Sequence, residues 1–344
     1  MIAGVRELTG RSNPLPGVRL EFAPMAVDAA AVKRAHGRIS GIIHETPVLS
    51  SRTLNEIAGG TLYLKMESFQ RTGAFKFRGA FHAVSRQLEA AREHGVVTGS
   101  SGNHGGALAL AARILGVPAT VVMPEDSAAV KIAAVEGFGA TIEYCGLSST
   151  ERLDRAQVLA DEQGMLMIPP YDHEDIIAGQ GTVALEALEQ VPELDLFLAP
   201  CGGGGLLSGC AAYLAGEAPH VEVWGVEPVG ADDTLQSFEK GERVTIDLPD
   251  TIADGVRNLT PGEMTFPIVR RHCRGVVLVD DDETVEALRL LMLRAKVVSE
   301  PTGAVAPAAL LSGKLSLEGR CAVAVVSGGN VDPGVLSRCL EAAQ

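Results

Sequence analysis

The chain has 344 residues, 46% hydrophobic and only 4% aromatic, with 29 Lys and Arg against 43 Asp and Glu for a net charge of −14. That length suggests two domains or one large one, and Val, Leu, Ile and Ala must do most of the packing. So acidic a balance argues against nucleic acid and anionic membrane surfaces as partners, since both demand a basic face.

In chain order, residues 1–25 carry Gly, Pro, Asn and Arg without periodicity and read as a loose arm. Gly4, Arg6, Glu7, Arg11 and Arg19 interrupt any signal-peptide core. No apolar run approaches the roughly 20 residues that cross a bilayer. The segment Gly73-Ala74-Phe75-Lys76-Phe77-Arg78-Gly79 then places a lysine among small and apolar residues. Partial desolvation there would lower its pKa and make its amine a better nucleophile toward a carbonyl. Next, Gly95-Val96-Val97 reads as a strand and Ala107 to Ala112 as helix, with the small-residue turn Ser100-Ser101-Gly102-Asn103-His104-Gly105-Gly106 between them. Such a turn exposes amide N–H groups that suit a carboxylate or phosphate.

Strand and helix patterns keep alternating. Ala119–Met123 is followed by helix over 128–136, and Ala140–Tyr144 by helix over 150–163. After the strand-like Leu196-Phe197-Leu198-Ala199 comes Cys201-Gly202-Gly203-Gly204-Gly205-Leu206, whose glycines allow backbone to curl around an anion. Asn258-Leu259-Thr260 fits a glycosylation triplet, which has no meaning in the cytoplasm. The last strand ends in Val325-Val326-Ser327-Gly328-Gly329-Asn330. This alternation predicts βαβ units on a parallel sheet, with ligands at the carboxyl ends of strands. The turns at 102, 202 and 328 all follow predicted strands. Cys145, Cys201, Cys210, Cys273, Cys321 and Cys339 form no Cys-x-x-Cys pair and read as reduced residues of a cytoplasmic protein.

Together the lysine segment and the three turns resemble the fold-type II pyridoxal-phosphate enzymes, in the threonine/serine dehydratase and serine racemase branch. The resemblance runs from about His36 to Asp332. It includes Glu45-Thr46-Pro47-Val48-Leu49, Ala178-Gly179-Gln180-Gly181-Thr182, Gly225-Val226-Glu227-Pro228, Ala231-Asp232-Asp233, Thr251-Ile252-Ala253-Asp254-Gly255-Val256 and Glu300-Pro301-Thr302. It implies an α/β fold of two open parallel-sheet domains, of the tryptophan synthase β-like type, with the cofactor in the cleft between them. A large domain of residues 26–94 and 173–344 would carry a small domain of 95–172. A homodimer is expected. No C-terminal regulatory domain of the biosynthetic threonine dehydratase kind is expected, because the chain ends soon after Asn330.

The resemblance also implies roles. Lys76 would bind pyridoxal phosphate as a Schiff base and later take the substrate Cα proton. Phe75 would pack on the ring. Gly202, Gly203, Gly204 and Gly205 would cradle the phosphate, Asn103 would meet the ring hydroxyl, and Ser327 the ring nitrogen. Ser100, Ser101, Asn103 and His104 would hold the substrate carboxylate, with Arg152 closing over it. Ser101 would also stand on the opposite cofactor face from lysine, as inversion at Cα requires. Glu227, the carbonyl of Ala231 and Asp233 match a divalent-metal site for Mg²⁺, or Ca²⁺ or Mn²⁺. Glu300 matches an acidic residue near the ring. The chain departs from the pattern at Ala74, where the family usually has Ser, and at Leu153, where the racemase branch has Glu.

The implied activity is a dehydratase (ammonia-lyase) that converts a β-hydroxy amino acid, by default L-threonine or L-serine, to a 2-oxo acid and ammonia. The alternatives are a serine racemase with dehydratase side activity, or a dehydratase for 3-hydroxyaspartate or phenylserine. β-Replacement and a catalytically inert cofactor carrier stand as further rivals.

Overall fold

The apolar run Cys321–Val326 has the composition of a strand covered on both faces. In the computed structural model, which describes residues 27–100, 102–125, 127, 129–146 and 149–342, this run lies inside the larger of two sheets. The strands are β1 (Val48–Ser50), β2 (Thr61–Met66), β3 (Val96–Gly99), β4 (Ala119–Met123), β5 (Thr141–Tyr144), β6 (Leu166–Met167), β7 (Leu196–Pro200), β8 (Glu222–Pro228), β9 (Gly275–Val279) and β10 (Cys321–Val326). The six-stranded sheet has the order β1-β2-β10-β7-β8-β9, and the four-stranded sheet β5-β4-β3-β6. Only β1 runs antiparallel to its neighbour. Alternation along β10 divides two cores. Cys321, Val323 and Val325 pack with helices Glu174–Gln190 and Gly205–Glu217 on one face, while Ala322, Ala324 and Val326 pack with helix Pro301–Leu311 on the other.

This α/β architecture with parallel sheets is the one the sequence predicts. The predicted strand–helix pairs appear as Ala119–Met123 with Ala129–Gly137 and as Thr141–Tyr144 with Ser149–Gln163. The turns at 102, 202 and 328 lie just beyond the carboxyl ends of β3, β7 and β10. The predicted arm at 1–25 and Ser101 lie outside the described residues. Among the described residues no helix is long and apolar enough to cross a membrane, and all six cysteines are free thiols.

Two features tie the Lys76 segment to the glycine turn. The first is close helix packing. A Cβ on Gly179 would stand 2.6 Å from the Gly79 Cα, and one on Gly209 would stand 2.2 Å from the Ile177 carbonyl oxygen. Helix Glu174–Gln190 therefore presses directly against both helix Lys76–Arg86 and helix Gly205–Glu217.

The second is a buried charge network. Arg78 donates to both oxygens of Glu67 at 2.7 Å, and to Glu186 at 2.5 and 2.8 Å. Lys65 completes it, with Nζ 2.7 Å from Glu186 and 2.6 Å from the Thr46 carbonyl. All four charged side chains are 1% exposed or less. Two positive and two negative groups cancel, and the bidentate geometry fills the donor fork of Arg78. Removing one partner would leave an uncompensated buried charge. Arg78→Met is expected to lower unfolding free energy by about 3–5 kcal/mol, read as a lower urea midpoint. Arg52→Ala, at the exposed Arg52–Glu56 pair, should leave the midpoint in place.

Candidate active site

The lysine segment is zipped to the end of β10. The Phe75 N–H donates to the Ser327 carbonyl at 3.1 Å, Ala74 and Gly328 form an antiparallel bridge, and the Gly329 N–H donates to Gly73 at 2.9 Å. Thr72 and Gly73 take left-handed φ values of 60° and 72°, which turns the chain into this bridge. A helix then starts at Lys76. The Lys76 side chain lines a cleft. Its Nζ donates to the Pro170 carbonyl at 2.8 Å and lies 5.1 Å from the Phe75 ring centroid. Burial lowers its pKa to about 8, so the neutral amine is accessible near physiological pH.

Gly202, Gly203, Gly204 and Gly205 line the same cleft, and helix Gly205–Glu217 begins there. The first N–H groups of a helix lack intrahelical acceptors, so this end can bind an anion. Side chains are excluded. A Cβ on Gly203 would stand 2.4 Å from the Tyr171 ring, and one on Gly202 2.6 Å from Asn258 Oδ1. Tyr171 is fixed by its neighbour Asp172, whose carboxylate accepts from the N–H groups of Glu263, Met264 and Thr265 at 2.8 to 3.2 Å. Ser327, 1% exposed, also lines the cleft, with its hydroxyl 3.4 Å from the Thr302 carbonyl.

At the turn after β3, the Ser100 hydroxyl accepts from the Gly102 N–H at 3.3 Å. Helix Asn103–Leu115 follows. The Asn103 amide is held at both ends: Nδ2 donates to Glu300 at 2.7 Å, and Oδ1 accepts from Asn330 at 2.8 Å. Burial, and then the charge of Asp254, push Glu300 up to about 8. His104 Nε2 lies 3.0 Å from the Ile168 carbonyl, which can only accept, so Nε2 carries the proton. Burial and the Lys76 charge depress its pKa to about 3, which keeps the ring neutral. What His104 offers a carboxylate is therefore its backbone N–H in the first helical turn, since its imidazole is turned to Ile168. Arg152 is 7% exposed, and its carbonyl would stand 2.5 Å from a Cβ on Gly99 at the end of β3.

Glu227 and Asp233 are both fully buried. Glu227 accepts from the N–H groups of Thr234 and Leu235 at 3.1 and 3.0 Å. Both Asp233 carboxylate oxygens lack a hydrogen-bond partner among the described residues. Burial raises the pKa of each, and repulsion from Asp233 raises that of Glu227 further. No cluster of three or more His, Cys, Asp or Glu suited to a metal occurs among the described residues. Any cation here would rest on this carboxylate pair and a backbone carbonyl.

The fold thus brings Phe75, Lys76, the four glycines and Ser327 around one cleft. Tyr171 and Asn258 belong to it as well, and no sequence pattern indicated them. Asn258 reads in the sequence only as part of a glycosylation triplet. Tyr171 follows Pro169 and Pro170, a signal of a fixed turn that gives no hint of what it touches.

Comparison with known proteins bears on this geometry. The family model described as "Pyridoxal-phosphate dependent enzyme" matches residues 39–328. The chain is 47% identical to L-threo-3-hydroxyaspartate ammonia-lyase of Saccharomyces cerevisiae, covering 87% of this chain and 91% of that protein. It is 46% identical to the enzyme of the same name from a Pseudomonas species, over 88% of this chain and 94% of that one. The solved structure of maize serine racemase superposes with a TM-score of 0.87 at 39% identity, covering 92% of this chain and 98% of that one. A desolvated lysine facing a glycine turn, on a chain matched from end to end of its two sheets, has one family to which it answers: the chain belongs to the pyridoxal-phosphate dependent enzymes.

Proposed function

We propose that this enzyme is an ammonia-lyase for a β-hydroxy amino acid, with L-threo-3-hydroxyaspartate ahead of L-serine and L-threonine as substrate. The observation that carries the reaction class is the Lys76 amine, softened to a pKa of about 8, in a cleft with the Gly202–Gly205 turn. The order of substrates follows the names of the two relatives at 47% and 46% identity.

Membership of the family implies pyridoxal phosphate, and the cleft fits it: one amine, a turn in which any Cβ would clash, and a buried hydroxyl. When bound, that group supplies the electron sink for the bonds broken at Cα and Cβ. Lys76 would hold it through the amine, Gly202 to Gly205 would bind its phosphate, and Phe75 would wall its ring. Asn103 would meet the ring hydroxyl and Ser327 the ring nitrogen. The Lys76 amine, once free, takes the Cα proton of the substrate. Ser100, Ser101, Asn103 and His104 hold the α-carboxylate through the turn, and Arg152 closes over it. The two sheets would form two lobes, residues 26–94 with 173–344 and residues 95–172, with the reaction between them. Racemisation is the second reading, favoured by the likeness to maize serine racemase. It requires Ser101 to act from the face opposite Lys76.

Glu227, Asp233 and the Ala231 carbonyl would hold a divalent cation such as Mg²⁺. Their donors are all hard oxygens, and the two buried Asp233 oxygens have no hydrogen-bond partner among the described residues, which a cation would supply. Its role would be structural.

Three measurements test this. Product analysis with L-threo-3-hydroxyaspartate, L-serine and L-threonine should yield 2-oxo acid and ammonia fastest from the first, and Lys76→Ala should abolish it. D-amino acid in comparable amount would replace the lyase reading by the racemase one. In cofactor-stripped protein, only the neutral Lys76 amine reacts with the aldehyde. The rate of cofactor uptake should therefore rise with pH through about 8 and level off above it. A midpoint near the ordinary lysine value would refute the desolvated-amine argument. Finally, saturating Mg²⁺ should raise Tm by several degrees, a stabilisation of about 2.7 kcal/mol at a hundredfold excess over Kd. Asp233→Asn should remove that response.

A further inference from the structure

One cation beside the cleft has no part in the chemistry above. Lys131, on helix Ala129–Gly137, reaches Asp254 with Nζ 2.8 Å from Oδ2. Its helix connects strands of the four-stranded sheet. Asp254 opens the short turn Asp254–Val256, of which Gly255 and Val256 line the cleft. The pair therefore bridges the two sides of the site. Lys131 also stands at the carboxylate turn itself, because a Cβ on Gly102 would lie 3.7 Å from its Nζ. Asp254 has a second contact on its own side, the Thr302 hydroxyl at 3.5 Å.

We propose that Lys131 binds the β-carboxylate of a dicarboxylic substrate, exchanging Asp254 for it. This rests on the reading of the turn after β3 as the α-carboxylate site. In 3-hydroxyaspartate the two carboxylates are two carbons apart, so an α-carboxylate on the turn puts the second one within the neighbourhood of Lys131. The side chains of Lys131 and Asp254 are 26% and 47% exposed, and an ion pair that open to water is weak. A substrate carboxylate fixed in place by the rest of the molecule can displace it. Asp254 then keeps Thr302. Glu300, which lies in the field of both groups, is held toward its neutral form by burial and adds little opposing charge. Serine and threonine carry no second carboxylate to compete for Lys131 once the first is on the turn, so its pairing with Asp254 persists beneath them.

The test uses holoenzyme and two non-reacting competitors. Succinate carries the carbon skeleton and both carboxylates of 3-hydroxyaspartate, and propionate carries one carboxylate. Inhibition constants for both, and kcat/KM for 3-hydroxyaspartate and L-serine, are measured for wild type, Lys131→Met, Lys131→Arg and Asp254→Asn. Lys131→Met should lower the hydroxyaspartate-to-serine ratio of kcat/KM at least tenfold and erase the preference for succinate over propionate. Lys131→Arg should retain most of both. Asp254→Asn, which removes the competing carboxylate, should tighten succinate severalfold, and it remains informative if Lys131→Met does not fold. Equal losses for both substrates in Lys131→Met would mark a structural latch and overturn the proposal, as would unchanged succinate binding. A wild-type enzyme that eliminates from no β-hydroxy amino acid would sink the lyase reading instead, while the two inhibition constants still report on Lys131.

Discussion

Four charged side chains with almost no access to water, Lys65, Glu67, Arg78 and Glu186, hold the helix on which Lys76 sits. Such a network is tolerable only when every charge is matched and every donor used. It therefore locks three separate segments into one geometry: β2 with its exit turn, the start of helix Lys76–Arg86, and helix Glu174–Gln190. Arg78 is two residues beyond Lys76 and points into this network, while Lys76 points into the cleft. The same helical turn thus carries one fully compensated cation and one partly desolvated amine. The first fixes the position of the second, and the second owes its lowered pKa to partial desolvation in the cleft.

Rigidity propagates from there through contacts that only glycine permits. Gly179 lets helix Glu174–Gln190 lie against Gly79, and Gly209 brings helix Gly205–Glu217 onto the same helix. Lys76 and the anion-binding end of the second helix are consequently referenced to one common support. β10 enters the same frame through the bridge from Ala74 to Gly328, which places Ser327 on the cleft wall. The order β1-β2-β10-β7-β8-β9 puts β10 between β2 and β7, so the turns after β7 and β10 meet at adjacent strand ends. That is where open parallel sheets place ligands.

The electrostatics of the site divide by depth. At the bottom, burial holds Lys76 and His104 toward neutrality and raises Glu300, so neutral hydrogen-bonding groups surround the reacting centre. At the mouth, Lys131 and Asp254 form an ion pair that water reaches. Glu227 and Asp233 follow the same rule, as a buried carboxyl pair that burial pushes toward the neutral form.

The sequence by itself determined the class of fold, because short continuous apolar runs alternating with helical patterns leave a parallel sheet covered by helices as the way to bury both. It also exposed Lys76, the glycine turn and the Ser327 turn, since each is a local run whose chemistry survives without knowledge of its neighbours. Tertiary structure alone decided what those runs face. That Lys76 donates to Pro170, that Tyr171 packs on Gly203, and that His104 turns its ring to Ile168 are contacts between residues about 30 to 94 apart in the chain, and no local pattern encodes them. The buried network was equally hidden. Lys65, Glu67 and Glu186 sit in the sequence like ordinary solvated charges, and only the meeting of three elements converts them into a core. Lys131 was missed for the same reason: on its own helix it is an unremarkable surface lysine, and it becomes part of a site only through Asp254 and Gly102 arriving from elsewhere.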